Sequence, residues 1–137
     1  MVCATPRASV SAMSEIPLLA QILLALVMSG SGVLLFWVAR AAARGRLRRN
    51  MVAGIRTRAT LASDEAWIAA HRRAEGPSRA AGVVAIVTGL AFFLPVRAEV
   101  LSAIVIGGCL VTLALVLYGA KVGGDAAREV AEGVEHA

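Results

Sequence analysis

The chain has 137 residues, 58% of them hydrophobic and only 17% charged, with a formal net charge of +5. An ordinary soluble domain is nearer half apolar and a quarter charged, and this length allows a single domain. Of the two cysteines, Cys3 lies near the start and Cys109 inside an apolar block. That placement excludes a disulfide framework, and no Cys/His cluster has the spacing of zinc ligands.

The apolar residues fall into three blocks. The first, about Ile16 to Ala39, contains no Lys, Arg, Asp or Glu. Its roughly 24 residues would reach about 36 Å as a helix, enough to cross a hydrocarbon core of ~30 Å with some tilt. A cleaved signal peptide is not expected: the block is too long, and its basic cluster follows rather than precedes it. The second block runs from Ala80 to Val96, with Pro77 placed to sit in its first turn and Pro95 near its end. The third runs from Val100 to Tyr118. Three spans follow, flanked by an N-terminal tail (1–15) and a C-terminal tail (119–137).

Arginine gives the orientation. Ten arginines lie between the first two blocks: Arg40, Arg44, Arg46, Arg48, Arg49, Arg56, Arg58, Arg72, Arg73 and Arg79. The other connection holds only Arg97 and Glu99. Positive charge in short loops stays on the cytoplasmic side, so the N-terminus is expected outside and both the Arg-rich loop (40–79) and the C-terminus inside, in a multi-pass membrane protein. The sequence pI of about 10.6 then reflects topology and contact with anionic headgroups. Nucleic acid is not an expected partner, because the loop offers one aromatic, Trp67, and hence no stacking platform.

Within this loop, Arg40–Asn50 is expected to continue the first helix. Gly54, Thr57 and Thr60 suit a bend. Ser63 followed by Asp64 and Glu65 signals a helix start, and Gly76–Pro77 signals its stop. Trp67, His71 and Ala74 form one stripe of this short helix. The expected structure is an amphipathic helix lying at the membrane surface, with Trp67 seated among the headgroups.

The string Asn50-x-x-x-Gly54-Ile55-Arg56-Thr57-x-x-Thr60-Leu61-x-Ser63-Asp64-Glu65-x-Trp67-x-x-x-His71-Arg72 resembles the signature of the SdpI family. These are small bacterial membrane proteins named after an immunity protein against a secreted, membrane-active peptide toxin. The resemblance covers the three-span unit, Ile16 to Tyr118, and is distinctive in the loop. Longer family members carry a further N-terminal membrane module, which is not expected in this chain. The resemblance implies an all-α integral membrane protein that protects against or senses such a peptide, without enzymatic chemistry or a cofactor. It nominates Asn50, Gly54, Arg56, Thr57, Thr60, Leu61, Ser63, Glu65, Trp67 and His71 as the surface for a peptide toxin or a cytoplasmic regulator.

The residues themselves also admit plainer roles. Gly54 is read as a backbone requirement, Thr57 and Thr60 as turn or cap residues, and Trp67 as an interfacial anchor. Arg56 is open between partner binding and pairing with Glu65 or a lipid phosphate. His71 is open between packing and pH sensing. An enzyme using His71 or Glu65 lacks a second catalytic group, since the other histidine, His136, lies in the tail. A transport or channel component, the alternative function, lacks the intramembrane charge such proteins usually need.

Small residues recur at spacings that let helices approach closely: Ala81, Ala85 and Gly89 in the second span, Ala103 with Gly107 and Gly108 with Thr112 in the third. Tight three-helix packing or a homo-oligomer is expected from these faces. The tail after Lys121 is expected to break at Gly123–Gly124 and fray, with Glu129, Glu132 and Glu135 available to the Arg-rich loop.

Overall fold

The computed structural model describes residues 17–135, and side chains as far as residue 133. The N-terminal tail, with Cys3 and Arg7, lies outside the described residues, as does His136. Three α-helices make up the fold: α1 (Leu18–Ala43), α2 (Asp64–Leu90) and α3 (Ala98–Glu135), with a 3-10 turn at Ala91–Phe93. No strand occurs among the described residues. All three helices are long and apolar enough to cross a membrane. Their large apolar side chains point outward, Leu19, Leu26, Val27, Leu34, Val87 and Leu113 among them. The buried positions are filled mainly by alanine, which is how helices pack in lipid.

Helix α2 lies in the middle. It packs against both α1 and α3, while the backbones of α1 and α3 stay apart. The α1–α2 contact is backbone to backbone: a β-carbon on Gly82 would lie 2.7 Å from the Gly32 carbonyl oxygen, and one on Gly32 would lie 2.6 Å from that of Gly82. Gly89 fits against Ser29 and Ala25 about two turns further along α2. On the other side, Gly108 fits against Thr88, and Gly119 and Gly123 fit against the Ala70–Ser78 stretch of α2. Of the expected small-residue pairs, Ala81, Ala85 and Gly89 are buried, whereas Ala103 and Gly107 face outward.

Three expectations about helix ends need correction. Helix α1 stops at Ala43 rather than continuing to Asn50. Gly45 takes φ +72, the Gly45 N–H donates to the Ala42 carbonyl (3.0 Å) and the Arg46 N–H to that of Ala41 (2.9 Å). This is a Schellman end, which satisfies carbonyls the helix would otherwise leave free.

Helix α2 runs unbroken through Gly76–Pro77, so the loop contains no separate helix lying on the membrane. Its polar first part, Asp64–Arg79, is the direct continuation of the second span and extends about 24 Å beyond it at 1.5 Å per residue. Proline inside a helix loses one hydrogen bond, and here packing against α3 offsets it: Pro77 Cβ would sit 3.5 Å from a β-carbon on Gly119. Helix α3 likewise continues through Gly123–Gly124. Gly123 is required there by contact, since a β-carbon would lie 2.8 Å from the Ala70 carbonyl oxygen. Ala127 and Val130 of this extension pack on Ala66 and Ala70. Among the described side chains, neither Glu129 nor Glu132 pairs with the loop; the acid engaged is Asp125, with Arg128 at 3.1 Å.

The turn from α2 to α3 follows from Pro95. Proline disfavours helical geometry in the residue before it, and Leu94 is extended at φ −76, ψ 136.

Candidate functional site

The loop between α1 and α2 is a compact, hydrogen-bonded knot. Ser63 caps α2 as expected, its Oγ accepting from the Ala66 N–H at 3.0 Å. Asn50 fixes the loop's entry: its Oδ1 accepts from the N–H groups of Val52 and Ala53, both at 2.8 Å, and its Nδ2 donates to the Arg48 carbonyl. Thr57 and Thr60 bind each other's backbone: the Thr57 N–H donates to Thr60 Oγ1 (2.8 Å) and the Thr60 N–H to Thr57 Oγ1 (3.2 Å). The Thr60 hydroxyl then donates to the Ile55 carbonyl at 2.8 Å. Thr60 is wholly buried, so its hydroxyl depends on these protein partners rather than on water.

Trp67 and His71 lock this knot onto α2. Trp67 is 1% exposed, and its Nε1–H donates to the Leu47 carbonyl at 3.0 Å. This corrects the expectation of a headgroup anchor: the ring is packed inside protein, because the returning loop covers it. The His71 ring lies against it, centroids 4.2 Å apart. The Ile55 N–H donates to His71 Nε2 at 3.0 Å. An N–H can only donate, so Nε2 is unprotonated, and Nδ1–H donates to the Trp67 carbonyl at 2.8 Å. His71 is therefore a neutral imidazole bridging loop and helix. Burial holds its pKa below the ordinary 6.5, opposed by the hydrogen bond to the Trp67 carbonyl.

Gly54 crosses the His71 ring at φ +102, and a β-carbon there would lie 2.5 Å from His71 Nε2. Leu61 contributes its carbonyl, which accepts from Arg49 Nη1 at 2.7 Å; Arg49 also pairs with Asp64 at 3.4 Å. Arg49 thus ties the two ends of the loop together, a role that its position in an arginine run does not reveal. Glu65 is exposed and Arg56 does not pair with it: Arg56 Nη1 donates to the Met51 carbonyl at 2.6 Å.

Above α2 and between α1 and α3 lies a cleft of about 400 Å³. The loop residues Gly54–Thr57 and His71 border it on one side; Leu35, Val38 and Ala39 of α1 and Val116 and Ala120 of α3 form its walls. The structure thus brings Gly54, Arg56, Thr57 and His71 to one cleft, and leaves Asn50, Thr60, Leu61, Ser63, Glu65 and Trp67 out of its lining. The groups that ligate metals do not cluster among the described residues.

The model of the SdpI/YfhL protein family matches residues 46–120, more than half of the chain. The chain belongs to the SdpI/YfhL family. No curated protein and no solved structure matches it. The SdpI/YfhL match begins at the loop, next to the end of α1, and takes in the knot, α2 and the membrane part of α3. With three span-length apolar helices, this SdpI/YfhL protein is an integral membrane protein.

Proposed function

We propose that this protein protects a bacterial cell against a membrane-active peptide, or senses such a peptide, by binding rather than by catalysis. The Arg-rich loop is its cytoplasmic interaction surface, presented to the peptide or to a cytoplasmic regulator. One observation carries this reading: the motif residues with buried side chains build a rigid knot whose effect is to hold Arg56 exposed at the mouth of a cleft. A charged tether would need no such construction, because arginines alone would keep it at the headgroups. Family membership supports the same reading. In this scheme Asn50, Thr60, Trp67 and His71 shape the surface, and Arg56 with Thr57 makes the contact.

Expression in a toxin-sensitive bacterium tests it. The wild-type chain should raise survival against at least one of a panel of membrane-active peptides, and Arg56→Ala should lower that survival at unchanged protein level. Equal survival of cells with and without the chain across the panel would remove the reading.

A further inference from the structure

The cleft that Arg56 overlooks has a chemistry of its own. Its walls are apolar, and among the described residues Arg56 is the only charged side chain lining it. It is open on one side, where its wall residues Leu35, Val38, Val116 and Ala120 are only half-buried. Trp37 and Tyr118, 59% and 58% exposed, stand within two residues of wall residues on α1 and α3. Exposed Trp and Tyr rings favour the depth where headgroups meet acyl chains. The cleft therefore opens to the bilayer at that depth, its apolar walls level with the chains and its cation level with the phosphates.

We propose that this cleft binds one anionic phospholipid, its phosphate on Arg56 and the upper part of an acyl chain between Leu35, Val38 and Val116. The guanidinium has five N–H donors in a planar fork suited to phosphate. The bond from Nη1 to the Met51 carbonyl at 2.6 Å fixes the fork in place and leaves other donors for the ligand, so little ordering is required on binding. His71 takes no part in holding the phosphate, since its Nε2 is occupied by the Ile55 N–H. This inference goes beyond peptide protection and does not rest on it.

The full chain in detergent micelles, titrated with dioleoylphosphatidylglycerol and separately with dioleoylphosphatidylcholine, is read by native mass spectrometry. One phosphatidylglycerol should bind in preference to phosphatidylcholine. Arg56→Ala should weaken it about tenfold, the scale of a hydrogen bond to a charged group, and Arg56→Lys should recover part of that loss. Ala120→Leu and Val116→Phe, which fill the cleft while keeping every charge, should each abolish the adduct. Arg58→Ala, in the same loop but outside the cleft, should bind as wild type. Trp67 emission reports that the knot is intact in each variant. Equal weakening by Arg58→Ala would mean general attraction to anionic lipid and would overturn the proposal. So would competition by glycerol phosphate, which lacks chains, or an undiminished adduct in both filled variants.

Discussion

Gly54 and His71 are made for each other: the glycine backbone passes over the imidazole edge, where a β-carbon would lie 2.5 Å from Nε2. The same crossing brings the next residue's N–H, that of Ile55, onto that nitrogen at 3.0 Å. Gly54→Ala meets two penalties, the contact and the φ of +102. Backbone strain of this kind costs about 1–3 kcal/mol. Thermal unfolding in micelles should shift down accordingly, and the Ile55 amide should exchange faster in the variant. An unchanged exchange rate would separate the glycine from the histidine.

The pH dependence follows from the same imidazole. Burial lowers the His71 pKa from 6.5, so as pH falls the unfolded chain takes up this proton before the folded one does. The stability His71 contributes is complete above about pH 6.5 and declines as pH drops below that and through the folded value. Protonated Nε2 would also point a proton at the Ile55 N–H. Melting temperature measured from pH 8 to pH 5 should fall at the acid end in the wild type and fall less in His71→Gln.

Trp67→Phe keeps most of the buried ring and removes the donor to the Leu47 carbonyl. A loss of about 1 kcal/mol is expected from the bond, against about 3–5 kcal/mol for Trp67→Ala, which empties the site. Chemical unfolding in mixed micelles measures both. Because Trp67 and His71 are buried, replacing both by Ala dismantles the knot, and loss of protection in that double variant would not locate a binding surface.

The helix contacts predict a contrast between two glycines. Gly82→Leu pushes a side chain into the Gly32 backbone, whereas Gly107→Leu adds one where nothing lies within 4 Å. The first should destabilise the protein by at least about 1–3 kcal/mol, the usual scale of overpacking. The second should be close to neutral. Equal effects would mean the α1–α2 approach is not close.

Orientation is tested by reporters. Ten arginines at one end of the bundle against Arg97 at the other predict a cytoplasmic Arg-rich end. A reporter at the C-terminus should register as cytoplasmic and one inserted at Ala98 as external. The reverse pattern would invert the topology.

The spans were legible because each lacks charge for long enough to cross a bilayer. Ser63 was legible as a cap because its hydroxyl precedes two acids. The continuity of α2 through Gly76–Pro77 was not, since a local rule ends a helix there and the packing that overrides it comes from Gly119, more than forty residues later. Gly123–Gly124 misled in the same way: the pair weakens a helix by propensity, yet contact with Ala70 demands a glycine. Gly45, standing after an arginine, is the one residue there whose type marks the end of α1. At the site, the stripe of Trp67, His71 and Ala74 was correctly placed on one face of the helix. What covers that face was not legible, because loop residues 47–57 return onto it through backbone groups, and a carbonyl or N–H carries no mark in the sequence.

Trp37 and Trp67 are the chain's two tryptophans, and their surroundings are opposite. Trp37 is 59% exposed on the membrane part of α1 and Trp67 1% exposed beneath the loop. A brominated lipid can collide with the first indole and not with the second. Quenching of Trp37 therefore reads the depth of the bilayer around α1, while the unquenched remainder reads whether the knot is closed. The protein needs no added label for its own loop to be watched while it sits in a vesicle.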